Sequence, residues 1–516
     1  MDVRRTISVP IQSIRLHVRN NWKKLLFLFI LSFLACVYLG SSLAKDSQSL
    51  ISDNASIAMV VSKSISNRKN FFQTLTFNKQ GQGHEAGTVP VLPDDGDHLV
   101  SIQASMEDDL GAFQFQAPSK RCKFPIKPKV KPRDAVFQYF ELRDIFVYSA
   151  YLDLRGYTRE IRVIGIAPFD PERFNCQLTY TDGAVVSVPA VAVDMQMRKR
   201  EEQRGFRYVA HFFLCKEPMD AIPVSVSLTA KSCTMTPSNA IKIYVRGTVE
   251  ETRVPNRLLV CVKLLYNFKL PYKLAEFIEY QRIMQADKVV LYDLDEPSDD
   301  VRDMVDYYVD EGIVRMQPWK LPVKTSMTPD KGGQIRLYGQ HAQVQDCIYR
   351  FMDSHRHILI VDTDEFIIPH APGLSAYPDL MRRVQSLEPA GQLSSSYVFA
   401  NAHFCLSNKE MVRSMPQLLL VNIVHRNEVG SFKHRCKSII NPRRVVEMGV
   451  HFVHQPRPGS SRFQHVPPSI AFMHHYRKNK LGSCEYLDKE AQKFRNQLLY
   501  RVNKVCDAIG IARVKS

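Results

Sequence analysis

The chain has 516 residues, of which 45% are hydrophobic and 23% charged, and its formal net charge is +17. This length predicts two or three folded units, and the composition excludes a disordered chain. The basic residues are spread along the chain and form no dense run interleaved with aromatic residues, which argues against nucleic-acid binding. A basic protein that holds phosphates close to an anionic membrane accounts for the charge equally well.

The first recognisable element is an uncharged apolar run at residues 25–44. Twenty helical residues rise about 30 Å, which matches the hydrocarbon core of a bilayer. Six basic residues precede this run and only Lys45 follows it closely, so the positive-inside rule keeps residues 1–24 in the cytosol. A cleaved signal peptide is the alternative, but its apolar core would be shorter. We therefore expect an uncleaved type II membrane anchor.

The next segment, residues 45–118, has no cysteine, is rich in Ser, Gln, Asn and Gly, and shows little periodicity. This composition predicts a flexible stem between the membrane and the folded part. The sequon that begins at Asn54 lies in this stem and suits glycosylation in the lumen.

Eleven cysteines occur in the chain, and all except Cys36 follow the apolar run. Ten cysteines on the lumenal side are an even number in a compartment that permits disulfides. No pair has the CxxC spacing of a zinc ribbon. The sequence therefore predicts disulfides and buried thiols, and it leaves their connectivity open.

Residues 119–252 are predicted to form a small β-rich domain. Short segments rich in Val, Ile, Phe and Tyr alternate with turn signals, and Thr181-Asp182-Gly183 is typical of a hairpin turn. The predicted strands are 145–154, 160–167, 184–193, 207–214 and 224–229. A carbohydrate-binding role is one interpretation of this domain, and packing against its neighbour is the simpler one.

From residue 253 to residue 516, strand and helix patterns alternate. The predicted strands are 258–265, 288–294 and 358–361, and the predicted helices begin at Pro271 and cover 298–311 and 340–352. This succession is typical of a doubly wound α/β sheet with mainly parallel strands, which binds its ligands at the carboxyl ends of the strands.

One of these carboxyl ends carries an acidic cluster. The apolar strand runs directly into Asp362-Thr363-Asp364-Glu365. Three acids at the end of a buried strand repel one another unless a cation lies among them. Mg²⁺ or Mn²⁺ with carboxylate and phosphate oxygens as ligands would remove this repulsion, whereas a solvated turn is the alternative.

Several sequence blocks in this part resemble glycosyltransferase family 92. The blocks are VCVKLLYNFKLPYKLAEFIEYQRIMQADKVVLYDL (260–294), QHAQVQDCIYRF (340–351), VDTDEFIIP (361–369), GVHFV (449–453) and HHYR (474–477). The resemblance implies a GT-A, Rossmann-like α/β fold and inverting transfer of galactose from UDP-galactose to a glycan acceptor. It also implies that Asp362 and Asp364 bind the metal. An enzyme of this kind on a type II anchor is expected in the Golgi membrane, with its catalytic domain in the lumen.

Further site residues follow as hypotheses. Enzymes with this fold often add a histidine to the metal, and His475 and His451 are preferred here over His474 and His454. Donor binding is assigned to Lys263, Lys433, Arg435 and Arg477, because cationic groups match phosphate oxygens. Gln345 and Asp346 either face the site or belong to a satisfied polar helix face.

Inversion by single displacement requires a general base for the acceptor hydroxyl. Glu428, Glu410 and Glu365 are the hypotheses for this role.

Two other interpretations of the chain remain open: the same fold with another nucleotide sugar, and an inactive, membrane-anchored carbohydrate-binding protein. The oligomeric state and the acceptor are not encoded in any recognisable pattern.

Overall fold

The structure is a computed structural model. It describes residues 119–514 except 125, 157–158, 196–204, 220, 264, 293, 407–416, 433–434 and 478–483. The predicted cytosolic tail, membrane anchor, stem and Asn54 sequon lie outside the described residues. In the part of the chain that is described, no helix has the length and apolar character needed to cross a bilayer. All described residues belong to one compact unit, Gly111–Ser516.

The amino-terminal part of this unit is a barrel. Its strands are β1 (Lys120–Arg121), β2 (Gln138–Phe140), β3 (Ile145–Asp153), β4 (Glu160–Ala167), β5 (Asn175–Tyr180), β6 (Val185–Asp194), β7 (Val209–Lys216), β8 (Pro223–Thr229) and β9 (Ile241–Arg246). The five predicted β segments correspond to β3, β4, β6, β7 and β8. The β-rich character predicted for this stretch is thus confirmed.

The barrel closes because two strands change partners along their length. The first half of β6 pairs with β5 and its second half with β7, while β9 pairs first with β8 and then with β3. The neighbour order β5-β8-β9-β3-β4-β7-β6 therefore returns to β5. The predicted hairpin turn joins β5 to β6, and Gly183 adopts φ +81° there, a value that a side chain would strain.

The carboxyl-terminal part contains the remaining strands and the α-helices of the described chain. The strands are β10 (Leu258–Val262), β11 (Leu265–Tyr266), β12 (Lys288–Tyr292), β13 (Leu294–Asp295), β14 (Val314–Gln317), β15 (Thr325–Ser326), β16 (Ile335–Arg336), β17 (His357–Val361), β18 (Glu365–Pro369), β19 (Ser396–Phe399), β20 (Asn401–Cys405), β21 (His425–Arg426), β22 (Lys437–Ile440), β23 (Val445–Met448), β24 (Val453–Pro456), β25 (Gln464–Val466), β26 (Ala471–Arg477) and β27 (Tyr486–Leu487). The helices are α1 (Pro271–Ile283), α2 (Asp299–Asp310), α3 (Gln340–Phe351), α4 (Tyr377–Gln385), α5 (Leu419–Asn422) and α6 (Arg495–Ile509).

Seven of these strands form the central sheet, in the order β14-β12-β10-β17-β22-β19-β25. Strands β10, β12, β14 and β17 are parallel, as predicted, and β22 runs antiparallel beside β17. The chain moves outward from β10 to β14 and then returns to the other side of β10 to form β17. The order therefore reverses between β10 and β17, which is the place where α/β sheets bind ligands.

The two faces of the central sheet are covered differently. Helices α1, α2, α4 and α6 cover one face, where Val260, Leu291 and Leu359 point. Helix α3 covers the other face together with side chains of the barrel, among them Tyr151 and Phe212. The barrel thus supplies part of the hydrophobic core of the α/β part, which supports the packing role considered for it.

Asp346 of α3 lies at the centre of this shared core and is fully buried. Its carboxylate accepts hydrogen bonds at 2.7 Å from the Tyr151 hydroxyl of the barrel and from the Tyr292 hydroxyl of β12. Arg350 pairs with it at 2.8 Å and also pairs with Asp134 at 2.6 Å. Burial alone would raise the pKa of Asp346, but the Arg350 guanidinium outweighs burial and lowers it. Asp346 belongs to a satisfied polar face rather than to the ligand site.

Four disulfides occur among the described residues: Cys122–Cys233, Cys176–Cys215, Cys261–Cys347 and Cys405–Cys484. Cys436 and Cys506 remain as buried thiols. The prediction of disulfides together with buried thiols is thereby confirmed. The Cys261–Cys347 bridge joins strand β10 to helix α3.

A second buried acid, Glu276 of α1, fixes the start of the short helix α5. Its carboxylate accepts hydrogen bonds from the backbone N–H groups of Leu419 at 3.0 Å and Leu420 at 2.7 Å. These are donors that the first turn of a helix cannot satisfy internally. Burial raises the pKa of Glu276 to about 7 despite these bonds.

We expect Asp346→Ala to lower the free energy of unfolding by about 3–5 kcal/mol, because it leaves the buried Arg350 without one of its two carboxylates. Tyr151→Phe removes one hydroxyl donor and should cost about 1–2 kcal/mol. Urea unfolding of the full-length chain measures both values. A change below about 1 kcal/mol for Asp346→Ala would show that the shared core does not depend on this group.

We also expect stability to fall as pH rises from about 4.5 to 7, owing to Glu276. The carboxyl releases its proton near pH 4.5 in the unfolded chain and near pH 7 in the folded one. The folded state thus binds the extra proton in this window, and its advantage disappears as pH passes through 7, at a cost of roughly 3 kcal/mol. Urea unfolding at several pH values should show this slope, and Glu276→Gln should remove it. An unchanged slope in the variant would assign the pH dependence to other groups.

Candidate active site

The site lies at the switch point of the central sheet. Strands β10 and β17 are in register up to the pair Val262 and Val361. The next residues, Lys263 and Asp362, therefore lie side by side, and Lys263 Nζ is 2.8 Å from Asp362 Oδ2. Strand β22 runs antiparallel to β17 and begins where β17 ends, which places Lys437 Nζ 3.5 Å from the same oxygen. Asp362 thus has an ammonium group on each side.

Lys437 and Glu365 form the buried base of the site. Their side chains are only 1% and 3% exposed, and Nζ lies 2.8 Å from Glu365 Oε2. The same carboxylate accepts the backbone N–H of Asp362 at 2.8 Å. This double engagement favours a structural role for Glu365 over the predicted role of general base.

The two lysines shape the electrostatics of the site. Packing around Asp362 would raise its pKa, but the ammonium groups of Lys263 and Lys437 outweigh this effect and hold it below its usual value. Burial lowers the pKa of Lys263. Burial also opposes the charge on Lys437, but Glu365 and Asp362 raise its pKa overall. Two of the three clustered carboxylates are therefore already neutralised by protein cations.

The third carboxylate, Asp364, has a histidine rather than a lysine beside it. Its side chain is 37% exposed, and Oδ2 lies 3.4 Å from Nε2 of His475. Strand β18 pairs with β26 so that Glu365 and His475 are direct neighbours, which explains this approach. Of the four histidines considered from the sequence, His475 is the one that the structure brings to Asp364.

The other three histidines occupy different positions. His474 points to the opposite side of β26, into the core, where its Nε2 is 3.0 Å from Nε2 of His370. His454 pairs with Glu447 at 3.0 Å. His451 lies beside the lysines, and burial together with Lys437 and Lys263 lowers its pKa to about 3. Its Nδ1 is 3.1 Å from the carbonyl oxygen of Cys436.

The predicted phosphate-binding residues are distributed around this centre. Arg477 lies two residues after His475 on β26, and Arg435 is exposed on the segment before β22. Both guanidinium groups lie close enough to lower the pKa of His403, which burial and His475 also depress, to about 4. Glu428 is exposed on the segment after β21. Lys433 and Glu410 lie outside the described residues.

Sequence reasoning did not single out several residues of the site. Lys437 was considered only as the last of four basic residues at 430–437 that could hold anionic oxygens near the donor, and nothing in the sequence places it beside Asp362. Lys273, in the first turn of α1, is close enough for Asp364 to oppose the lowering of its pKa by burial. Asn401 and His403 of β20 line the side of the site next to His475.

The donor set at Asp364 fits a divalent cation. A carboxylate oxygen and a neutral imidazole nitrogen are ligands that Mn²⁺ accepts, and Mg²⁺ accepts the oxygen. Lys263 and Lys437 already compensate Asp362 and Glu365, so only the Asp364 carboxylate faces outward without an ammonium within 4.0 Å in the described part of the chain. The surrounding cations suit oxygens of a diphosphate.

Comparison with known proteins identifies the α/β part. The model of glycosyltransferase family 92 matches residues 256–509. No curated protein matches the chain. Among solved structures, the "WbbM bifunctional glycosyltransferase apo structure" is similar at 7% sequence identity, with 52% of this chain and 54% of that chain covered and a TM-score of 0.22. The chain spans about half the length of that protein, and a likeness of this degree carries no structural argument. The match over residues 256–509, which include every residue of the site described above, makes this part of the chain a glycosyltransferase family 92 domain.

Proposed function

We propose that the chain is a metal-dependent, inverting galactosyltransferase with a GT-A type catalytic part, which transfers galactose from UDP-galactose to a glycan acceptor. The observation that carries this proposal is the pairing of Asp364 with His475 beside the buried Lys437 and the mostly buried Lys263, at the switch point of a family 92 domain. The amino-terminal anchor and residence in the Golgi membrane, with the catalytic domain in the lumen, are part of the same proposal.

Asp364 and His475 would hold the cation, Mn²⁺ or Mg²⁺. Asp362 would join them, because its carboxylate is 42% exposed although Lys263 and Lys437 contact it. When bound, the cation offsets negative charge that develops on the departing UDP.

The residues of the chain would contribute in three ways. Lys263, Arg435 and Arg477 would bind diphosphate oxygens, and their fixed positive charge would stabilise the leaving group without reorganisation. Lys437 would keep Glu365 and Asp362 in place through its two ion pairs. Glu428 would accept the proton of the acceptor hydroxyl, since its carboxylate is exposed and Glu365 is held by Lys437.

We expect UDP release from UDP-galactose to require both Asp364 and the metal. The measurement is nucleotide release by the full-length chain in detergent, with Mn²⁺, a panel of UDP- and GDP-sugars and a mixed glycan acceptor pool. Asp364→Asn and EDTA should each reduce release by at least roughly a hundredfold, since each removes charge stabilisation of the leaving group. Mn²⁺ added back should restore the EDTA sample only.

The donor panel separates the alternatives. If another nucleotide sugar releases its nucleotide, and Asp364→Asn and EDTA each abolish that release, the proposed site stands but the donor is not UDP-galactose. A folded chain that binds no UDP and releases none from any donor would contradict the enzyme proposal and favour a carbohydrate-binding protein.

We expect Lys263→Met to raise the KM for the donor roughly tenfold to hundredfold, because one charge-assisted hydrogen bond to the diphosphate is lost. Asp362 keeps Lys437 as a partner, so the fold should persist. Lys288→Met is the matched control, since Lys288 begins strand β12 at the opposite end of the sheet. A donor KM within twofold of wild type for Lys263→Met would show that this lysine only neutralises Asp362.

A further inference from the structure

Strand β20 places two polar side chains next to the proposed metal site. It runs parallel to β26, and His403 is in register with His475, whose other neighbour is Glu365 of β18. Residues in register on adjacent strands point to the same face of a sheet. Glu365, His475 and His403 therefore form a row across three strands, and Asn401, two residues before His403, lies on the same face.

These side chains are close to one another. The His403 and His475 ring centroids are 4.9 Å apart, and Asn401 Nδ2 is 3.3 Å from His403 Nε2. The backbone of β20 is held in place independently, because Asn427 Oδ1 accepts the His403 N–H at 2.7 Å and Gly430 donates to the Asn401 carbonyl at 2.8 Å. The pair thus lies on a fixed strand directly beside a proposed metal ligand.

Three polar atoms in this row have no hydrogen-bond partner among the residues that the structure describes. They are Asn401 Oδ1, His403 Nδ1 and His475 Nδ1, and their residues are 5%, 7% and 5% exposed. Folded proteins leave few buried polar groups unsatisfied, and each one calls for an explanation such as a ligand or an ordered water. Three such atoms on neighbouring residues indicate a ligand with several polar groups.

We propose that Asn401 and His403 bind hydroxyl groups of the hexose of the donor. This inference rests on the proposed function, because the hexose is attached to the phosphate that the metal site would hold. A hydroxyl both donates and accepts hydrogen bonds, as an amide and a neutral imidazole do together. The sugar, which is attached to the diphosphate, is the part of the donor that would reach Asn401 and His403 beside His475.

The test uses the full-length chain in detergent with UDP-galactose and its four monodeoxy analogues, which lack the hydroxyl at position 2, 3, 4 or 6 of the sugar. We compare kcat/KM of wild type, Asn401→Leu and His403→Phe, which replace a polar side chain by an apolar one of similar size. Wild type should discriminate against at least one deoxy donor by about a hundredfold or more, because the missing hydroxyl leaves buried groups unpaired. The matching variant should lose most of this discrimination, and calorimetry should show an affinity for UDP within about threefold of wild type.

His355→Phe is the matched control. His355 is also 7% exposed, but it precedes β17 at the amino end of the strand and bonds to Asp287 at 3.0 Å. This variant should retain the discrimination of wild type. If the apolar variants do not fold, Asn401→Ser and His403→Gln provide the same comparison with smaller expected changes.

Two results would overturn the inference and can be told apart. If the variants reduce turnover of all five donors equally, or not at all, the three atoms bind water or serve packing while the enzyme proposal stands. If wild type binds no UDP and uses no nucleotide sugar, the proposed function itself fails, and the hexose assignment fails with it.

Discussion

Repulsion among the carboxylates at the end of β17 is the constraint on which the site depends. Asp362, Asp364 and Glu365 cannot remain charged together at a sheet edge without nearby cations. The fold provides one cation from each neighbouring strand, Lys263 from β10 and Lys437 from β22. The antiparallel direction of β22 is essential here, because only a strand that begins at this edge can bring its first residue to the end of β17.

The alternation of strand β26 divides its histidines between two environments. His474 is fully buried against Phe404 and His370, whereas His475 faces Asp364. The same strand therefore contributes to the hydrophobic core and to the polar site. A shift of its register by one residue would exchange the two rings, so the core packing around His474 fixes the position of His475.

The sequence was informative where the pattern is local. The strands β10, β12 and β17, the helices α1, α2 and α3 and the acidic cluster follow from apolar periodicity and chain order. The positions of Lys437 and His403 in the site could not be found in this way, because these residues lie 75 and 41 residues after Asp362 and come close to it only through sheet pairing. Closure of the barrel could not be predicted for a related reason: the apolar pattern of β6 is the same before and after the point where the strand changes its pairing partner. His475 was reached only through the HHYR block of the family resemblance.

The shared position of helix α3 has a practical consequence for protein engineering. One side of α3 packs on the central sheet and is tied to β10 by Cys261–Cys347, and the other side meets the barrel. A truncation that begins at residue 253 would uncover a broad apolar surface on the glycosyltransferase part. Exposed apolar surfaces of this kind promote aggregation. The α/β part therefore needs the barrel for its solubility and not only for its activity. The barrel and the α/β part are therefore best expressed as a single polypeptide.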